Sequence, residues 1–360
     1  MASCRRTIFR LCIIALSSRL SLPVVLTMVL LLPWSDRAGA QQPLKPSATV
    51  WQVTSDFGKH AEHDALDKQP RTNLSGAVCP AGSMGRAFCL MVNDEKKYAQ
   101  FFALQAATIV PGALIRLTDH DGEPDAEGAA YADGYIYATG SHGRSRNKDA
   151  VNDASYVVFR FPVDRQTGQP SFPISEERLS GVASTTRVRD ALRDSPSATI
   201  KQFYNTRLAD GGVNVEGIAV QGGRLYLGLR GPSDNGQAFL VHVDANAAFT
   251  PAESLDAQFA TLALGPHAGM RDLASVQGGI LVLSGPVNDQ AVAPALFLWD
   301  PTKPEVIKAL GVLEIPEHLR GKAKAEILLV LDDVPTQPWR VLVMFDGPEN
   351  GAPVEYVVFR

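Results

Sequence analysis

Cysteine is scarce in this 360-residue chain. Four are present, and Cys4 and Cys12 fall in a leader-like beginning. The remaining pair, Cys79 and Cys89, is too small a set for a structural zinc site or a scaffold built on disulfides. A basic excess is lacking as well: 34 Lys and Arg stand against 38 Asp and Glu, a net charge of −4. A nucleic-acid partner wants a positive surface, so that class is excluded. Long apolar runs are missing after residue 34, so no later segment reads as a membrane span. Familiar catalytic signatures are missing too: there is no GxSxG, no HExxH and no Walker loop.

The beginning has the layout of a secretory signal. Arg5, Arg6, Arg10 and Arg19 precede the apolar run LSLPVVLTMVLLLPW at 20–34. Ala38 and Ala40 then supply small residues for cleavage after Ala40. An uncleaved anchor is the alternative, and Arg5–Arg6 fits a twin-arginine signal poorly. Residues 1–40 take five Arg and one Asp with them, so residues 41–360 carry a net charge of −8. The expected mature chain is a soluble monomer in the periplasm or outside the cell. An oxidising compartment favours a Cys79–Cys89 disulfide across a hairpin, with two free buried thiols as the alternative.

What the chain does have is repetition. Five stretches share one frame, an apolar strand, a turn of Gly, Asp or Pro, and a returning apolar strand: NLSGAVC…CLMVNDE, DAEGAAYADGYIYATGSHG, NVEGIAVQGGRLYLGLRGP, RDLASVQGGILVLSGP and AEILLVLDDVPTQPWRVLVMFDGP. Each is a hairpin signal. Third strands follow at 97–104, 155–164, 237–244, 295–300 and 353–360, with weaker fourth segments such as 112–119 and 307–315. Four short strands per unit of about 50 residues describe a β-propeller blade. The expected fold is therefore all-β, a propeller of five blades with six as the alternative. The strand ATVWQVTS at 48–55 is free to join the last blade and close the ring. A β-sandwich does not require five copies of one hairpin.

Equivalent positions read as Ser75, Glu127, Glu216, Asp272 and Glu326, spaced by 52, 89, 56 and 54 residues. The long interval is too short for a further blade, so about 165–213 reads as an insertion in a single domain spanning 41–360. A short helix is expected near TRVRDALRD, capped by Thr185 or Thr186 and stopped by Pro196.

The repeat register also locates a site. The first strand of each hairpin lines the channel, and the hairpin brings its far end back to the same face. Glu127, Glu216, Asp272 and Glu326 then ring one mouth, beside Asn93, Asp94, Glu95, Ser141, His142, Arg144, Arg146, Arg230 and Asp346. Carboxylates so crowded need a cation, an arginine or a raised pKa. Three local readings follow. Asp119, Asp121, Asp125 and Glu127 present alternate oxygen ligands suited to calcium, or form a solvated acidic loop. The corner SHGRSRNK at 141–148 offers Ser141, Arg144, Arg146 and Lys148 to a phosphate or carboxylate. His142 is a candidate acid or base, with Arg144 beside it, or simply a solvated loop histidine. HAEHD at 60–64 lacks a clear third ligand and reads as an exposed lead-in.

The stretches LSGAVC, CLMVNDEKKYAQFF, DAEGAAYADGYIYATGSHGRSR, VEGIAVQGGRLYLGLRGP and RDLASVQGGILVLSGP resemble an uncharacterised bacterial family, domain of unknown function 3616, over about residues 70–345. The frame is also similar, by fold and a DxEG turn alone, to phytase-like and esterase-like propellers. Two classes of function remain. One is a binding propeller whose mouth takes a small anionic or metal-chelated ligand or a protein partner. The other is a metal-assisted hydrolase of phosphate or carboxylate esters.

Overall fold

The computed structural model describes residues 43–58, 70–80, 87–146 and 150–360. The leader at 1–40, HAEHD at 60–64 and Lys148 lie outside the described residues. The chain is all-β with few helices, and its sheets form a propeller-like arrangement. Each of five sheets grows outward from a hairpin of the repeated frame. The inner strands are Leu74–Val78, Ala126–Ala132, Asn214–Gln221, Ala268–Val276 and Lys324–Asp332. Each pairs antiparallel with its returning strand. Apolar side chains alternate between the two faces of each sheet along these strands, and five large clusters fill the spaces between neighbouring sheets.

Glycine sets how closely the inner strands approach. A side chain at Gly76 would lie 2.5 Å from Gly128 Cα, and one at Gly128 would lie 2.7 Å from the Glu216 carbonyl oxygen. One at Gly217 would lie 2.9 Å from the Asp272 carbonyl carbon. Four successive sheets therefore meet backbone to backbone near the axis, which only Gly permits.

The strand Pro46–Val50 pairs antiparallel with Val354–Val358, the third strand of the last sheet. Trp51 next to it donates from Nε1 to Glu355 at 2.9 Å, and Arg340 grips the same carboxylate at 2.9 and 3.0 Å. A bidentate, partly buried pair of this kind fixes the segment on the sheet.

The stretch at 165–213 is woven into its neighbours. Ile174–Ser175 and Arg178–Leu179 extend the first sheet, and Ala183–Thr185 is the outer strand of the second. The helix Arg187–Arg193 follows. Thr185 Oγ1 accepts from the Arg187 amide at 3.3 Å, whereas Thr186 makes no side-chain cap. A second helix, Ala198–Phe203, begins at Ser197, whose hydroxyl accepts from the Ile200 amide at 3.3 Å. Val188, Leu192 and Ile200 seal the space between the second and third sheets. Among the described residues no helix is long and apolar enough to cross a membrane.

Cys79 and Cys89 are disulfide-bonded, directly after the first inner strand and at the start of its returning strand Cys89–Asn93.

Candidate functional site

Every inner strand carries a β-bulge near its start. The pairing skips Ser75 between Leu74 and Gly76, Glu127 between Ala126 and Gly128, and Glu216 between Val215 and Gly217. It skips Arg271 between Met270 and Asp272, and Glu326 between Ala325 and Ile327. A bulged residue is released from the ladder and its side chain is re-aimed. Five equivalent bulges thus give one ring position in each sheet: Ser75, Glu127, Glu216, Arg271 and Glu326.

The fourth member is an arginine, and its charge is used at once. Arg271 Nη1 lies 3.2 Å from Glu216 Oε2, while Nη2 binds Glu326 Oε1. Arg230 Nη1 takes the other Glu216 oxygen, which also accepts from Asn214 Nδ2 at 2.8 Å. Arg230 is itself a bulge residue, skipped between Leu229 and Gly231 on the returning strand. Glu216 and Arg271 are each only 2% exposed, so neither charge is tolerable without the other.

Above this ring lies a polar cavity of about 350 Å³. Glu127, Glu216 and Glu326 reach it from the bulges, and Asp94, Asp125 and Asp346 from the strand ends around them. Arg144, Arg146, Arg230 and Lys324 supply positive charge, and Leu208 from the insertion forms part of the wall. The corner 141–146 and the insertion meet through a bridge between Arg144 and Arg207.

Six carboxyls thus face five cations, Arg271 included, and protonation adjusts the balance. Burial, then the charges of Asp125, Asp346, Glu95 and Glu216, push the Asp94 carboxyl up to about 8. Burial, then the neighbouring charges of Glu216, Asp125 and Asp94, raises Glu127 well above the ordinary carboxylate range. Burial likewise raises Asp125 and Asp346. A carboxyl raised to about 8 favours its protonated form at neutral pH, which brings the other five carboxyls level with the five cations. Asp94 Oδ1 and Ser75 Oγ are buried and have no hydrogen-bond partner among the described residues.

The structure redistributes several candidates. Asp272 does not face the cavity. Its two oxygens accept the Leu273 and Leu328 amides, each at 2.8 Å, and so tie the fourth sheet to the fifth. The one-residue correction to Arg271 has a local cause. The double glycine of VQGG invites the turn to be placed on Gly278–Gly279, by analogy with Gly222–Gly223. Val276 instead pairs with Gly279, so the turn is Gln277–Gly278. Gly279 is glycine because its φ is +151° and a side chain there would lie 2.3 Å from the Trp299 carbonyl oxygen. Five residues back from the last paired residue then gives Glu127, Glu216 and Arg271 alike.

His142 is 1% exposed and does not line the cavity. It packs edge-on against Tyr156, neither ring nitrogen makes a well-formed hydrogen bond, and burial pushes it down to about 3. An imidazole that stays neutral and walled in cannot exchange protons with a ligand, so the acid–base role is withdrawn. Its φ of +50° marks it as part of a tight corner. Ser141 is also buried, and its hydroxyl holds the Asp125 carboxyl and accepts from the Gly143 amide at 3.3 Å. Asn93 points away, donating to the Tyr98 carbonyl at 3.2 Å. Asp119 sits on the exposed surface with Arg116 and Arg178, and Asp121 is exposed, so neither joins Asp125 and Glu127. Among the described residues no three His, Cys, Asp or Glu side chains gather as a metal site requires. Lys324 and Arg271 were not signalled by the acidic pattern.

A family model described as protein of unknown function, DUF3616, matches residues 89–355. No curated protein matches the chain in sequence. Among solved structures, the chain is similar to a β-1,3-galactosidase of family GH43 with galactodeoxynojirimycin: 10% identity, TM-score 0.45, covering 88% of this chain and 95% of that one. A glycosyl hydrolase from Bacteroides ovatus gives 13% identity and a TM-score of 0.43, covering 89% and 94%. A gluconolactonase from Xanthomonas campestris gives 11% and 0.37, covering 89% of each chain. Likenesses this distant carry nothing about activity over to this chain.

Proposed function

The chain belongs to this family of proteins of unknown function, and we propose that it is an exported propeller of five blades that binds a small anionic ligand at the polar mouth. In this reading the strand Pro46–Val50 closes the ring, and the disulfide reflects an oxidising compartment after removal of residues 1–40. It acts as a monomer without a nucleic-acid partner, in keeping with its net negative charge.

One observation carries the reading. A cavity of about 350 Å³ gathers Arg144, Arg146, Arg230 and Lys324 around carboxyls whose pKa values are raised. A protonated carboxyl no longer repels an anion and has become a hydrogen-bond donor. Guanidinium groups beside it supply charge-assisted bonds suited to carboxylate, phosphate or sulfate. The ring arginine Arg271 holds Glu216 and Glu326 in place and is not needed for the ligand itself.

Sulfate is the direct probe, because it does not titrate near neutral pH. Calorimetric titration at low ionic strength is expected to show binding that Arg146→Ala weakens about ten-fold, the worth of one good ionic hydrogen bond. Arg146 is exposed, so the variant should keep its melting temperature. Absence of sulfate binding at pH 6 and at pH 8 would refute the reading.

The protonated state of Asp94 favours a second reading, hydrolysis of an ester at the same mouth. Water adds to the ester centre, the alcohol leaves with the Asp94 proton, and the carboxylate recovers a proton from the water. No step runs through a metal on the ring, because Glu216 and Glu326 are engaged by Arg230 and Arg271 and Asp272 by two backbone amides. Release of nitrophenol from nitrophenyl esters or phosphates, abolished in Asp94→Asn, is the expected result, and no turnover removes this second reading alone.

A further inference from the structure

The mouth does not end at the axis. A second, larger cavity of about 660 Å³ runs outward between the fourth and fifth sheets. Lys324 and Asp346 belong to the walls of both cavities, so the two adjoin at that point. Their linings differ in kind. The mouth wall is almost wholly polar, whereas the outer groove adds an apolar strip of Pro286, Val292, Pro294, Leu313 and Ile315, rimmed by Gln290, Glu314, Arg320 and Lys322. The loop from Val287 to Pro294 forms one bank, and the segment from Leu313 to Ala325 forms the other.

We propose that this groove holds the apolar tail of the ligand whose anionic head sits in the mouth. The inference rests on the mouth reading above and names its ligand class: an amphiphilic acid of small size, with one anionic head and a chain of several methylenes or an aromatic ring. The shared wall at Lys324 sets the order, head toward the axis and tail outward. Lys324 Nζ lies 3.3 Å from Asp289 of the groove bank, so the ammonium sits where the polar and apolar parts join. Asn288 Oδ1, buried on the groove wall without a hydrogen-bond partner among the described residues, adds an acceptor for a donor group near the head. A simple inorganic anion would use none of this surface, and a wholly apolar molecule would leave the mouth charges unmatched.

Alkyl sulfates test the idea because only the tail changes along the series. Methyl, butyl and octyl sulfate, each below its micellar concentration, are titrated into the full mature chain by calorimetry. Affinity is expected to rise along the series, with octyl sulfate at least about ten-fold tighter than methyl sulfate, since burial of even a few methylenes supplies that factor. Val292→Gln should remove most of the gain. Arg146→Ala should weaken every member by the same factor. Equal affinities for methyl and octyl sulfate overturn the groove inference and leave the mouth reading standing. Failure of all three to bind overturns both. A gain for octyl sulfate that Val292→Gln leaves unchanged is adsorption elsewhere and also overturns the inference.

Discussion

Arg271 lies between Glu216 and Glu326, 3.2 Å from Oε2 of the first and bonded to Oε1 of the second. One guanidinium from the fourth sheet therefore joins the inner strands of the third and the fifth. Burial works against its charge, and the Glu216 carboxylate opposes that effect. Removal of one partner from a buried ion network leaves the others uncompensated. Arg271→Ala is expected to destabilise the domain by about 3 to 5 kcal/mol. Arg271→Lys should recover only part, since one ammonium cannot span both carboxylates as a planar fork does. Urea unfolding curves of the two variants check both statements.

Asp272 is the complementary case. Its carboxylate satisfies two backbone amides on two different sheets. Asp272→Asn keeps one acceptor and turns an NH2 group toward the other amide. A loss of about 1 to 3 kcal/mol is expected, the usual result of leaving a buried donor unmet. Sulfate affinity should stay unchanged, which separates a sheet-joining role from a mouth role. A Asp272→Asn variant as stable as the parent would contradict the assignment.

Asp94 and His142 predict opposite pH effects on stability. The folded state raises Asp94 from the ordinary aspartate range to about 8. Its contribution to stability is therefore complete at pH below 4 and is lost as pH rises toward 8. Asp94→Asn should flatten that loss, with Asp125, Glu127 and Asp346 keeping a residual slope of the same sign. His142 is lowered from about 6.5 to about 3, so its contribution is complete above pH 6.5 and is lost as pH falls toward 3. His142→Asn, which tolerates the left-handed backbone, should flatten the acid side and leave sulfate binding intact. Melting temperatures from pH 3 to pH 9 show both trends.

The repeat was legible because a hairpin announces itself locally: apolar alternation, a turn, apolar alternation. Glu127, Glu216 and Glu326 could be placed at one mouth for the same reason, since a fixed offset from a turn fixes the side of the sheet. Arg271 could not be placed, because Gly279 serves a close approach to Trp299 and mimics a turn residue. His142 looked like a loop residue in the corner SHG. Its burial comes from Tyr156, which no local pattern connects to it. The adjacency of the mouth and the outer groove depends on the loop 287–294 of the fourth sheet lying beside the Lys324–Asp346 pair of the fifth, a tertiary relation with no sequence signature. The insertion was visible by length, but not that Ala183–Thr185 would complete the second sheet.

The central claim is that protonated carboxyls beside arginines admit an anion at the mouth. The most direct test is sulfate calorimetry at pH 8, where Asp94 is about half-protonated, in two buffers of different ionisation enthalpy, which counts protons exchanged on binding. The account predicts net proton uptake with sulfate, weaker binding as pH rises past 8, and loss of most of the uptake in Asp94→Asn. Sulfate binding with no proton exchange, identical in the parent and in Asp94→Asn, would contradict it.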